Sequence, residues 1–429
     1  MKKNCLLFFI TFSVLHFASG QGGTWTWISG AKTFNAAGVY GTQGIPSVNN
    51  HPPANYEMVE WKDKQGNFWL YGGGTNAYSD LWKFNPLTLE WTWVKGNGQL
   101  NLAPVWGTQG VPDTANSPGV GDYGAATWVD TAGVLWLFGG MSALPDMWRY
   151  DIGTNEWTWM NGSQSAFWGH HGTIGVPAAG NYPGQRNEAA SAWIDSLNNL
   201  WLFGGYGFDD AINFGYLNDV MKYNISTNEW TWVKGSAFIN AAAVYGTKGI
   251  SNATNDPGGR YTHTRWKDKQ GNFWLFGGSI GSNTIDNFND MWKYNPDSNL
   301  WTWMAGPNTL NGVGIYGTEC AFANNNVPGA RYEQRATVTD NCGRFWLFGG
   351  VDNGIYGYND LWLFDPQLLQ WKWLSGAKTA NQAGKFGTLG VPSPTNEPPS
   401  RMGANAWWGN NNKYYLFRGE YNRANFDCL

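Results

Sequence analysis

Asn272-Phe273-Trp274-Leu275-Phe276-Gly277-Gly278, followed by Asn289-Asp290-Met291-Trp292-Lys293-Tyr294 and then Trp301-Thr302-Trp303, is a pattern that the chain repeats. Its first part returns as FWLYGG (68–73), LWLFGG (135–140 and 200–205), FWLFGG (345–350) and, altered, YYLFRG (414–419). Its last part reads WTW at 25, 91, 157 and 230 and WKW at 371. Successive copies start roughly 70 residues apart, so the fold is a repeat architecture before any single residue suggests chemistry.

Each unit reads as four strands. Strand a follows a Pro-x-x-Arg turn, as in Arg260 to Trp266 and Arg401 to Trp407. Strand b is the WLFGG run, whose unbroken apolar character suits a strand covered on both faces. Strand c is DLWKF (80–84), DMWRY (146–150), DVMKY (219–223), DMWKY (290–294) and DLWLF (360–364). Strand d is WTWV, where alternation puts both tryptophans on one face and the threonine on the other. Gln65-Gly66-Asn67 and Gln270-Gly271-Asn272 fall where a tight a–b hairpin needs positive φ. Asn85-Pro86 and Asn295-Pro296 open the c–d turn. The paired glycines weaken a strand, so their recurrence implies close backbone approach or a conformation that a Cβ forbids.

The double glycine, the Trp or Tyr at a fixed offset and the Trp after a Pro turn resemble the kelch repeat across nearly all of residues 24–429. The resemblance implies an all-β fold: a six-bladed β-propeller, each blade a four-stranded antiparallel sheet, forming one domain over 21–429. Thr24 to Ser29 reads as a strand d with no first three strands before it, and Arg401 to Gly419 as strands a and b with no WTW after them. Strand 24–29 is therefore expected to complete the last blade and close the ring. The tail Asn425-Phe426-Asp427-Cys428-Leu429 aligns with Phe288 to Trp292, so the last blade either ends in a stub or is cut short.

Residues 1–20 read as a signal peptide: Lys2 and Lys3, an apolar core from Leu6 to Phe17, then Ala18-Ser19-Gly20 before a cut at Gln21. The expectation is a secreted, periplasmic or cell-surface protein with no membrane span, and a monomer. Charged residues make up only 14% and aromatics 17% of the chain, too aromatic for disorder. The formal charge is −4, and losing the two leader lysines makes it more acidic. With no basic patch, nucleic acid is not an expected partner. Cys320, Cys342 and Cys428 are an odd set after the leader. Cys320 and Cys342 flank a predicted strand of about eight residues, long enough to hold them some 20 Å apart, which argues against a disulfide.

The d–a connections run about 25 residues, far beyond the usual four to six. They carry their own mark in Tyr40-Gly41-Thr42, Trp106-Gly107-Thr108, Tyr245-Gly246-Thr247, Tyr316-Gly317-Thr318 and Phe386-Gly387-Thr388, with a disturbed copy, Trp168-Gly169-His170-His171-Gly172-Thr173. Two readings stand: a clasp tucking each aromatic between neighbouring blades, or a ring of aromatics that stacks on sugars or peptides. By analogy with kelch propellers, the residues opening strand a surround one channel mouth: Asn55, Gly121, Arg186, Arg260, Arg331 and Arg401, with Glu57, Asp122, Glu188 and Glu333 close by. Converging guanidinium groups could take a carboxylate; alternatively each arginine pairs with a neighbouring blade's acid and pins the packing.

The recurring Asp63, Asp130, Asp195, Asp268 and Asp340 are read as caps of the a–b turn. His170 and His171 are adjacent and would diverge on a strand, so no metal and no cofactor is expected. No hydrolase elbow, HExxH or phosphate loop is present. The leading expectation is a non-catalytic binding protein for a protein or glycan ligand, using the d–a loops and the channel mouth. The alternative is an enzyme on an acidic sugar, similar to a sialic-acid mutarotase, with Glu57, Glu188 or Glu333 for acid–base work.

Overall fold

The computed structural model describes residues 23–33, 35–74, 77–120, 124–140, 144–188, 190–281, 286–352, 356–421 and 425–426, with 188, 356, 421, 425 and 426 in backbone only. The leader, Gly121, Asp122 and Cys428 lie outside the described residues. Among those described there is no α-helix, hence no helix long and apolar enough to cross a membrane.

Five antiparallel sheets carry the four expected strands in the order a-b-c-d. Unit one is Val59–Lys62, Phe68–Tyr71, Leu81–Asn85 and Glu90–Lys95. Unit two is Ala126–Val129, Leu135–Phe138, Met147–Asp151 and Glu156–Asn161. Unit three is Ser191–Ile194, Leu200–Phe208, Phe214–Asn224 and Glu229–Lys234. Unit four is Thr264–Lys267, Phe273–Phe276, Met291–Asn295 and Leu300–Ala305. Unit five is Thr337–Thr339, Phe345–Phe348, Leu361–Asp365 and Gln370–Ser375. Each c–d ladder slips at one place, between Leu81 and Trp82 in unit one and at the matching residues elsewhere, a bulge that turns strand d.

The expectation of six four-stranded blades is corrected to five. Among the described residues unit six contributes the hairpin Asn405–Trp408 with Tyr414–Phe417 and a two-residue ladder, Glu420–Tyr421 with Asn425–Phe426, rather than a four-stranded sheet. Residues 24–29 are not a sheet strand; their one β-bridge among the described residues is Trp25 to Ser393. A strand c for them to pair with would begin at Asp427, outside the described residues. Their other contacts are nonetheless those of a strand d. Gly390 N–H donates to the Trp27 carbonyl at 2.8 Å, as Gly44 does to Trp93 and Gly249 to Trp303. The Asn396 amide donates to the Trp25 carbonyl, as Asn50 does to Trp91.

The sheets form a closed ring. The core is divided among six apolar clusters, one at each junction between successive units, including that of unit six with unit one. The first Trp of strand d packs against the last aromatic of the preceding unit's strand b. Trp301 meets Phe203 at 5.0 Å, and Trp371 meets Phe276 at 5.1 Å. Trp91 meets Phe417 at 5.0 Å, which closes the circle. Trp407 Nε1–H donates to the Trp61 carbonyl across the same junction.

The double glycines make the close approach their recurrence implied. Both have positive φ, 69° and 92° at Gly277 and Gly278. The Gly278 N–H donates to the Arg331 carbonyl of the next unit, as Gly205 does to Arg260 and Gly350 to Arg401. A Cβ at Gly278 would stand 2.8 Å from the Tyr261 carbonyl oxygen.

Candidate functional site

The residues opening strand a are buried. Arg260 grips Asp290 through two hydrogen bonds of 2.7 and 3.0 Å, and Arg331 grips Asp360 at 2.6 and 3.0 Å. Phe288 and Tyr358 lie over the two guanidinium planes at 3.9 and 4.2 Å. Arg186 pairs with Asp219. Each acid belongs to the arginine's own unit, at the start of strand c, so the expected pairing with a neighbouring blade's acid is corrected. Arg401 donates to the carbonyls of Arg418 and Pro399. Asn55 replaces the guanidinium in unit one and donates to the Gly72 carbonyl.

The loop aromatics complete these same clusters. The hydroxyls of Tyr40, Tyr245 and Tyr316 donate to Asp80, Asp290 and Asp360, each at 2.8 Å, and the Trp106 indole N–H donates to Asp146 at 2.7 Å. Tyr245 packs on Trp292 and Trp303, and Tyr316 on Trp362 and Trp373. The clasp therefore closes over strands c and d of the unit the loop leads into, rather than between blades. Phe386 lies beside Trp27 at 6.3 Å. In unit three the clasping residue is His171, not Trp168, which is exposed. The Gly-Thr that follows His171 would have aligned it with the tyrosines.

His171 stands between Asp210, 2.6 Å from Nδ1, and Asp219, 2.9 Å from Nε2. Burial works against its charge, but the two carboxylates prevail and hold the pKa up at about 9. In the sequence Gly121 stands where units three to five have an arginine, and burial lifts the Asp146 carboxyl to about 7.

The turn-capping aspartates behave as expected. Asp268 accepts the Gln270 and Asn272 amides, the Asn272 side chain and the Trp274 indole N–H.

What the strand-a residues surround is a filled channel. Arg265 reaches across to Thr127, and Arg335 to Glu57 at 3.3 Å. Glu60 accepts from Asn405, and burial raises its carboxyl while Arg335 and Asn405 draw it back. Burial and the neighbouring Arg335 bring Arg265 down to about 10. His263 sits beside this set, with both ring nitrogens buried and unpartnered among the described residues. Burial, Arg260 and Arg265 keep it neutral. The space left between Glu60, Arg265, Arg335, His263 and Gln334 is about 70 Å3. Glu57, which pairs with Arg335, and Thr262 and Glu333, next in the chain to His263 and Gln334, have φ of 47°, 50° and 56°, a strained setting for such residues. Glu188 enters a short strand with Arg186 that pairs with Tyr206 and Gly207. Sequence reading missed Glu60, Arg265 and Arg335; the signal was a charge at inward positions of an otherwise apolar strand.

A second feature went unread. The b–c hairpin of unit three runs past its glycine pair, with Tyr206 opposite Tyr216 and Phe208 opposite Phe214 on one face. Aromatic rings follow one another inward from the hairpin's end: Phe167 to Phe208 at 6.0 Å, Phe208 to Phe214 at 4.8 Å, Phe214 to Tyr206 at 4.4 Å. The line continues through Tyr216 and Tyr261 to Tyr332, at 5.0, 5.5 and 6.1 Å. At its outer end Phe167, Ile212, Phe214 and Phe238 are exposed. The Asp210 N–H donates to the Ala237 carbonyl, which brings the Phe238 loop against the hairpin turn.

Among the described residues no group of three or more His, Cys, Asp or Glu side chains is set to hold a metal, and Cys320 and Cys342 are free thiols. No known protein family and no curated protein matches the chain.

Proposed function

We propose that this protein is an exported, non-catalytic binding protein of kelch type whose long-loop face takes a protein partner, the contact centring on the unit-three hairpin. The observation that carries the reading is the exposed group Phe167, Ile212, Phe214 and Phe238 at the end of an aromatic line that is packed and supported behind it. Aromatic side chains without charges at the centre are what a desolvated protein contact uses. A glycan-stacking ring on the d–a loops has less support, since Tyr40, Trp106, Tyr245 and Tyr316 spend their polar groups inward.

Two assays on residues 21–429 test this: photocrosslinking from position 212 against proteins of the native host, and binding to a glycan array. One discrete crosslinked protein, lost in Phe214→Ser/Phe238→Ser, together with a silent array, is the expected result. Array binding lost in that double variant would make the ligand a glycan instead.

The second reading, turnover of an acidic sugar, draws on Glu60, Arg265 and Arg335 around the channel cavity. Its volume of about 70 Å3 suits one or two waters, at roughly 30 Å3 each, and not a sugar ring. Anomer exchange followed by NMR tests it; a rate equal to that of buffer removes it.

A further inference from the structure

At the opposite end of the strands from the d–a loops, where the a–b and c–d turns lie, successive units are tied turn to turn. Lys64 donates to the Thr131 carbonyl, the Thr131 amide to Asn198, Asn341 to Asn412, and Asn410 to the Gln65 carbonyl. Between units three and four Lys267 reaches the Ile194 carbonyl at 2.7 Å. Between units four and five no such tie exists among the described residues, and there the ring opens into a cleft of about 550 Å3. That lies within the 300–1,000 Å3 typical of small-molecule sites.

The cleft offers cations. Lys269, the counterpart of Lys64, lies across Gly343 with its ammonium unpaired among the described residues. The ammonium of Lys293, equally unpaired, stands 5.8 Å from the centre of the Trp274 ring. Arg344 puts Nε and Nη2 on Asp340, which leaves Nη1. The lining carboxylates are engaged elsewhere: Asp268 caps its turn and holds the Trp274 indole, and Asp365 accepts the Gln367 and Leu368 amides. Trp274 and Met304 supply apolar lining.

We propose that this cleft binds a small organic anion, a phosphate or sulfate monoester whose ring or chain lies against Trp274 and Met304. The non-bridging oxygens take the two lysine ammoniums and Arg344 Nη1; three donors around one head group favour a tetrahedral oxyanion with three terminal oxygens over a planar carboxylate with two.

Cys342 lines the cleft and is exposed, so it reports occupancy directly. The experiment is alkylation of the full chain by iodoacetamide, followed site by site by mass spectrometry, with Cys320 as internal control. The probes are glucose 6-phosphate, glucose 6-sulfate, glucose and inorganic phosphate. A bound monoester should slow Cys342 alkylation by a factor of 1 + [L]/Kd, about fivefold at four times Kd, and leave Cys320 unchanged. Lys269→Ala/Lys293→Ala, whose melting temperature should match the parent's, should abolish that protection. Protection by neither ester, equal protection in the double variant, or equal protection by inorganic phosphate alone would each overturn the proposal. Which of the two esters protects more tells phosphate from sulfate.

Discussion

Nε2 of His171 lies 2.9 Å from the Asp219 carboxylate, in the place where units four and five put a tyrosine hydroxyl against their aspartate. The substitution turns a neutral clasp into a charged one, because Asp210 holds the other nitrogen at 2.6 Å.

His171 is held up at about 9 from an ordinary 6.5, so the stability it contributes is fully present below 6.5 and is lost as pH rises through 9. Asp210 and Asp219 are depressed despite burial by His171 and Arg186, so their share is lost on the acid side instead. Thermal melts of the parent and of His171→Gln should differ most just below pH 6.5 and converge near pH 10. A gap that persists at high pH would mean that shape, not charge, is what the histidine supplies.

Asp146 is opposite in sign to Asp210 and Asp219 and, like His171, costs stability as pH rises. With its carboxyl lifted to about 7 from 3.8, folding favours the protonated form, and stability falls as pH rises from about 4 to 7 and then levels. Asp146→Asn should therefore melt with the parent at pH 4 and above it at pH 8. Equal melting at pH 8 would show that Trp106 alone satisfies the charge.

Arg331 and Asp360 are both inaccessible, so removing the arginine leaves Asp360 charged and buried with only the neutral donors of Tyr316 and Trp362. Arg331→Ala should cost about 3–5 kcal/mol by denaturant unfolding, and Asp360→Asn in the same chain should recover part of it. A loss below about 1 kcal/mol would indicate that water reaches the carboxylate.

Trp301 is fully buried against Phe203 of the preceding unit. Trp301→Ala should cost about 3–5 kcal/mol. Its indole N–H has no acceptor among the described residues, so Trp301→Phe, which gives up no hydrogen bond, should cost clearly less. Equal losses in the two variants would point to a polar partner.

The ring was readable because the marks that build it are local and repeated: FWLFGG, the aspartate opening strand c, WTW. The channel mouth was not, because its meaning depends on where a long arginine side chain turns. Position 331 looks the same in sequence whether its guanidinium faces a ligand or folds back onto residue 360, twenty-nine positions on. The unit-three aromatics escaped for another reason: Tyr206 and Tyr216 become neighbours only when strands b and c run on unbroken past the glycine pair; in unit five the pairing beyond the glycines is a separate two-residue ladder, Val351–Asp352 with Tyr356–Gly357. Unit six was misjudged from the ends of the chain, where Trp25 has the contacts of a strand d without a ladder.

Each long loop precedes, in the chain, the strand d whose outer edge it covers: Gly44 before Trp93, Gly249 before Trp303. During synthesis on the ribosome the cover therefore emerges ahead of the edge it will hide, and a newly made outer strand finds its shelter waiting. Residues 24–29 reverse this order. Their cover is Gly390 to Asn396, made some 360 residues later. While the five complete blades are being laid down, Trp25 and Trp27 are the aromatic segment left without its cover, and the point at which a holding chaperone or a second nascent chain has longest to act.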